Sequence, residues 1–412
     1  MFPSIIAAAP TPPAARTATA ATYAAFIGSG FAFASWAARI PQVRDRLGLD
    51  SAALGLVLLA IAAGSLVALP LSGPLVTRFG SARIVGTMAV LLGVGLVVAA
   101  LGAQAGVAPV VAGLALLGFA NGAWDVAMNV QGTVVERHLG RSIMSRFHAG
   151  FSLGTVAGAL VGAAMVALGV PVAVHLVAVA VLVVLVVTWQ ARRFIADHDP
   201  GEPASRESAP GGALAAWKEP RTLLIGLFVL AFAFAEGVGN DWISVAAIDG
   251  HHVSAALGTI AFALFLTAMT AGRWFGPRLL NRYGRTAVVR VLAVIGIAGV
   301  ALFVFGPGPV YAYAGTLLWG LGASLGFPVG MSAGGDDPRG AAGRVSVIAS
   351  IGYCAFLGGP PAIGFLGDHI TVLRALTVVA VLLAVAAMIA TTVRPPRPSP
   401  EPSAPRPAPD DD

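Results

Sequence analysis

Twelve apolar stretches tile this chain, at 20–38, 52–76, 84–103, 108–130, 143–167, 171–191, 222–246, 255–279, 286–305, 310–332, 345–366 and 371–393. Crossing a hydrocarbon core of about 30 Å takes about 20 helical residues, and each crossing must satisfy its backbone polar groups within its own segment. Only one gap, from about Ala191 to Arg221, is long. The pattern predicts an all-α membrane protein with twelve transmembrane helices in two six-helix bundles. The expected units are an N-terminal segment at 1–19, a first bundle at 20–191, a linker at 192–221, a second bundle at 222–393 and a tail at 394–412. The tail is Pro-rich and charged, a composition that reads as disordered.

Charged residues make up only 11% of the chain against 57% hydrophobic, where a soluble domain carries about 25% charged residues. The net charge of +6 is an orientation signal rather than a nucleic-acid footprint. With the N-terminus inside, Arg39, Arg44, Arg46 and Arg374 lie outside and the other 21 of 25 basic residues lie on the cytoplasmic side. By the positive-inside rule both termini are cytoplasmic. The first residues lack a basic n-region followed by an apolar h-region, so no cleaved signal peptide is read. The single cysteine, Cys354, falls inside the eleventh span and reads as a small core residue, so no disulfide framework is expected within a chain. One lysine against 24 arginines suggests a high-GC bacterial source and hence a multi-pass protein of the bacterial cytoplasmic membrane.

The two halves repeat. SAALG at 51–55 recurs at 254–258, each copy opening a span that runs to a Gly-Pro pair (Gly73-Pro74, Gly276-Pro277). TRFG at 77–80 is echoed by NRYG at 281–284, and Trp36 before the first copy by Trp242 before the second. Parallel six-helix repeats related by an axis along the membrane normal are a known transporter plan.

On these residues the chain resembles the major facilitator superfamily. GPLVTRFGSAR at 73–83 is similar to its loop 2–3 signature through Gly73, Arg78 and Gly80, with Arg83 following, but Thr77 stands where an acid is usual. The second copy has Asn281, Arg282, Gly284 and Arg285, again without the acid. SWAARIP, NGAWDVAMN, MSRFHAGFSLG, EGVGNDW and GGPPAIGFLGD resemble a bacterial branch, the YbjJ-like transporters, akin to the fucose-permease type. The resemblance spans about 20–393 and implies that this loop helps lock the cytoplasmic side. With the acid missing, Glu136 in the next inner loop is the candidate partner for Arg78 and Arg83.

Ionisable groups inside a membrane span cost roughly 2.5–3.5 kcal/mol on insertion scales and mark pathways by default. The fourth span carries Asn121, Asp125 and Asn129 at i, i+4, i+8, on one face. His148, near the start of the fifth, lies at a depth that would let it pair with Asp125. The seventh span brings Glu236, Asn240, Asp241 and Trp242, with Gly237 and Gly239 softening the helix. Glu236 is the leading candidate for proton coupling, and Asp241 for an outer acid paired to Arg39. Trp124, Trp242 and Trp319 are candidates for stacking on a ligand, although membrane tryptophans more often pack or anchor. Gly150, Gly154, Gly158 and Gly162 form a close-packing stripe, and Gly358 to Pro361 a kink. His251 and His252 read as solvated loop residues without the further ligands a metal would need.

The expected function is alternating-access movement of a small polar, sugar-like solute by proton symport, with proton-antiport efflux of drugs or metabolites as the alternative. No Walker loop or nucleophile elbow appears, so neither ATP-driven transport nor an enzyme is expected. The expected partners are the solute, protons and the lipid bilayer, with no nucleic acid, cofactor or metal, and the chain is expected to work as a monomer.

Overall fold

The computed structural model describes residues 13–140, 143–197, 215–337 and 340–395. The first half runs α1 (Pro13–Ala37), a short α2 (Ile40–Leu47), α3 (Ser51–Phe79), α4 (Ser81–Gly102), α5 (Val107–Leu139), α6 (Met144–Ala167) and α7 (Val172–Ala191). The second runs α8 (Pro220–His251), α9 (Ala255–Tyr283), α10 (Arg285–Phe305), α11 (Pro309–Ala323), α12 (Gly326–Gly334), α13 (Ala341–Ile370), α14 (Val372–Ala375) and α15 (Thr377–Ile389). All twelve expected spans are helical. Among the described residues eleven segments are long and apolar enough to cross a membrane, the pairs α11–α12 and α14–α15 each counting as one. The remaining span is α1, whose Ala, Gly, Ser and Thr content lowers its hydropathy and suits a helix packed tightly between neighbours.

Several spans differ from expectation, among them the fourth, which runs on to Leu139, and the seventh, which runs on to His251. The first helix begins at Pro13 rather than residue 20, and the tenth and twelfth spans are each broken rather than continuous. The break in the tenth span coincides with a proline, although Pro70, Pro74, Pro277, Pro360 and Pro361 lie inside unbroken helices. Pro328 has no N–H to offer the carbonyl four residues back, at Ser324, and α11 ends there. The expected N-terminal segment, linker and tail fall largely outside the described residues.

The internal repeat has a local physical basis. α3 and α9 are both 29 residues long. Each begins behind a side-chain cap: Asp50 accepts from the Ala53 amide at 2.7 Å, and Ser254 from the Leu257 amide at 3.4 Å. Each ends at a glycine of positive φ, Gly80 at 82° and Gly284 at 78°, a conformation that other L-residues resist. These glycines turn the chain directly into α4 and α10.

Small residues set the helix spacing. Gly154 and Gly158 of α6 press on the α1 backbone at Ile27, Phe31 and Ser35, while Gly150 meets Tyr23 and Gly162 meets Ala38. The stripe read in the sequence is thus the α1–α6 contact. Between halves, α3 packs on α13 and α6 on α9. Gly55 abuts the Pro360 backbone, and Gly364 abuts Ser51.

Polar contacts close one end of this interface. Arg44 of α2 pairs with Asp249 of α8. Asp368 of α13 accepts from the Ser51 and Ala52 amides at 3.0 and 3.2 Å, capping a helix of the other half. At the opposite end the carboxylates Asp197 and Asp336 bind within their own halves. The Asp197 carboxylate accepts from Ser81 while its backbone carbonyl accepts from Arg137 at 3.4 Å, and Asp336 pairs with Arg285 at 2.6 Å and Arg221 at 3.2 Å.

Exposed pairs of this kind contribute about 0.2–1 kcal/mol each, so the lock is weak and reversible. Removing both of its acids (Asp249→Ala with Asp368→Ala) is expected to raise severalfold the alkylation rate of a cysteine placed at Leu58, in a Cys354→Ser background. A membrane-impermeant maleimide applied from the α2 side measures it, and an unchanged rate counts against this lock.

Candidate functional site

Between the halves lies a cavity of about 250 Å³ with walls from α1, α3, α5, α6, α8, α9 and α13. Phe33, Phe151, Phe262, Tyr353 and Phe356 give it aromatic surface, and its charged groups all come from the second half. The first half supplies Asn121 of α5, whose Oδ1 accepts from Ser29 at 3.0 Å. The second supplies Glu236, Asn240 and Asp241 of α8 and Arg273 of α9.

Arg273 is the residue the sequence reading missed. Its Nη2 donates to both carboxylate oxygens of Glu236, at 2.9 and 2.8 Å. Its Nε donates to the Ser324 carbonyl at 3.3 Å, the group orphaned by Pro328. One guanidinium therefore ties α8 and α9 to the break between α11 and α12. The signal was present, a single arginine inside the apolar run LFLTAMTAGRWF. It was absorbed into the count of cytoplasmic basic residues, where it does not belong.

Asn240 and Asp241 reach the same cavity as Glu236. The Asn240 Oδ1 is buried without a partner, and among the described residues Asp241 makes no hydrogen bond or ion pair. Asp241 does not meet Arg39. Arg39, only 2% exposed, donates from Nε to Nδ1 of His175 at 3.0 Å; burial without a carboxylate neighbour lowers its pKa from the ordinary guanidinium value. Gly237 and Gly239 have a packing role in a continuous α8: they sit against the rings of Phe356 and Phe265.

Asp125, Asn129 and His148 form a separate chain outside the cavity lining. Asn129 Nδ2 donates to the Asp125 carbonyl at 2.8 Å and to its carboxylate at 3.3 Å. His148 Nε2 lies 3.1 Å from Asn129 Oδ1, so the asparagine intervenes where a direct Asp125–His148 pair was expected.

The tryptophans are core residues. Trp124, Trp242 and Trp319 are fully buried and absent from the cavity wall, and Trp319 donates to the Ala235 carbonyl at 3.1 Å. Trp242 is therefore removed from the candidate site. Cys354 is exposed rather than core, and His251 contacts the Phe303 carbonyl at 2.7 Å rather than solvent alone.

The loop residues divide. Thr77, in the place of the usual acid, donates to the Gly73 carbonyl within its own helix. Arg78 and Arg282 lie over the adjacent rings of Phe79 and Tyr283, each 5.2 Å from the centroid, a second symmetric detail. Glu136 accepts from the Ile143 and Met144 amides at 2.5 and 2.7 Å and so caps α6. Neither Arg78 nor Arg83 is in an ion pair among the described residues, which overturns Glu136 as their partner. Arg83 faces a groove between α4 and α7, away from the gate.

A family model described as the Major Facilitator Superfamily matches residues 17–358. An uncharacterised MFS-type transporter of Yersinia pestis is 32% identical, covering 90% of this chain and 94% of its own. A mutant of the nucleoside transporter NupG superposes with a TM-score of 0.75 at 16% identity, over 90% of this chain and 99% of that one. The Escherichia coli fucose:proton symporter FucP gives 0.61 at 16% identity, over 91% and 98%.

The Glu236–Arg273 pair faces a low-dielectric cavity, with side-chain exposures of 17% and 30%. Glu236→Gln and Arg273→Gln are each expected to destabilise by roughly 2–4 kcal/mol, because each leaves a charge without its partner. The double variant is expected to lose less than the sum, with a coupling of about 1 kcal/mol or more. Reversible unfolding in mixed micelles measures this, and strict additivity would show that the pair is not a unit.

Proposed function

This chain belongs to the Major Facilitator Superfamily, and on that premise we propose that it is a proton-coupled symporter of a small, hydroxyl-rich solute, with Glu236 as the coupling acid. The observation that carries the reading is the Glu236–Arg273 pair in the cavity between the halves. An ionised Glu236 is held by a cation. A proton on it cancels that attraction and releases Arg273, which keeps only the Ser324 carbonyl. Because α9 bears Arg273 and also packs on α6 of the other half, the charge state of one carboxylate biases a bundle interface. That is the differential stabilisation of two states which coupled transport requires.

Size and lining favour the solute class. The cavity's 250 Å³ falls below the ~300–1,000 Å³ typical of sites for drug-sized ligands. Asn121, Asn240 and Asp241 offer hydrogen bonds to hydroxyl groups, and the aromatic rings offer flat apolar surface. The nucleoside transporter and the fucose:proton symporter share only the fold with this chain, and they suggest which solutes to try first. The positive-inside expectation assigns the locked α2 end to the outside, which makes this arrangement inward-facing.

The first test is a thermal-shift screen of the purified protein against monosaccharides, nucleosides and lipophilic cations. A true solute at a hundredfold excess over Kd stabilises by about 2.7 kcal/mol. Stabilisation by sugars or nucleosides is expected, whereas a response to lipophilic cations alone would favour efflux. With that solute in proteoliposomes, Glu236→Gln is expected to abolish accumulation driven by a pH gradient while retaining part of the exchange activity. Full accumulation by the variant would remove Glu236 from the coupling step.

A further inference from the structure

A second cavity lies away from the transport site, on a face of the first half formed by two helices that pack on their own half. Arg83, Thr87 and Val90 of α4 and Thr188 and Arg192 at the end of α7 line a groove of about 570 Å³. Its floor is open at Gly86, where an added Cβ would meet nothing within 4 Å. Among the described residues neither the Arg83 nor the Arg192 guanidinium makes a hydrogen bond or ion pair, and the Thr87 hydroxyl has no partner. Asp197, the first acid beyond α7, is spent on Ser81. The mouth of the groove thus holds two unneutralised cations.

What surrounds those cations identifies their partner. Trp189 is 53% exposed, with the Arg193 guanidinium 3.8 Å from its ring centroid, the amphipathic pairing found at a membrane–water boundary. Further along the same two helices, Val90 and Val94 on α4 and Leu182, Leu185 and Val186 on α7 are exposed. Paired cations at one level, an interfacial indole beside them and an apolar strip beyond follow the profile of one lipid molecule. We propose that this groove seats an anionic phospholipid, its phosphate between Arg83 and Arg192 and its acyl chains along Val94 and Leu185. Inorganic phosphate would use the arginines but not the strip. A zwitterionic lipid would use the strip, but its ammonium group opposes the arginines. Basic pockets between membrane helices bind anionic headgroups on this principle.

The test is native mass spectrometry of the full-length protein in detergent, titrated with phosphatidylglycerol, phosphatidylcholine or inorganic phosphate. Phosphatidylglycerol is expected to be retained in preference to phosphatidylcholine, and equimolar phosphate should not displace it. Arg83→Gln with Arg192→Gln is expected to weaken phosphatidylglycerol binding roughly 25-fold, about fivefold per arginine, while leaving phosphatidylcholine unchanged. Arg83→Lys with Arg192→Lys keeps both charges and should restore most of the binding, which separates a headgroup contact from damage to the fold. Equal retention of the two lipids, or a phosphatidylglycerol preference that survives the glutamine pair, overturns the proposal. Displacement by equimolar phosphate does so as well, since the arginines would then hold a free anion.

Discussion

Arg273 links three helices of the second half beside the break in the tenth span. In a bilayer a carbonyl that loses its helical partner cannot turn to water, and Pro328 creates such a carbonyl at Ser324. The Arg273 guanidinium satisfies it through Nε and spends Nη2 on Glu236. Three helical segments depend on one cation, and that cation depends on one carboxylate for its charge balance. A buried charge left alone costs several kcal/mol, so the protonation state of Glu236 cannot change without consequences for α8, α9 and the α11–α12 break. Proton coupling needs a titrating group whose charge the packing registers.

The remainder of the architecture connects that pair to the interface between the halves. Glycine-to-backbone contacts make α1 and α6 a tight pair, and α6 in turn meets α9 across the interface. The lock at the α2 end is made of different material, an exposed ion pair and a borrowed helix cap. Strong packing within a half and weak polar closure between halves is a sound division for two bodies that rock against each other.

Much of this was legible in the sequence because it follows from patterns that local physics enforces. Span lengths follow from bilayer thickness. Gly80 and Gly284 recur because each turn requires positive φ, and the glycines of α6 recur every fourth residue because they lie on one face. Asn121, Glu236, Asn240 and Asp241 reach the cavity because a polar group in an apolar helix turns either to such a cavity or, as Asp125, Asn129 and His148 do, to other polar groups. The failures also have physical causes. Hydropathy averages over Pro328 and so hides the helix break, and with it the reason for Arg273. Tryptophan in a membrane span satisfies a core and a ligand site equally, and Trp242 proved to be core. Whether His148 touches Asp125 or Asn129 depends on one helical turn of relative depth, which no single chain of letters specifies.

The most direct measurement of Glu236 as the coupling acid is its protonation through the transport cycle, followed by infrared difference spectroscopy with isotopically labelled glutamate in lipid. A neutral-carboxyl band that appears on adding the transported solute, shifts with the label and vanishes in Glu236→Gln is the expected result. A Glu236 that stays ionised with and without solute, while transport continues, would contradict it.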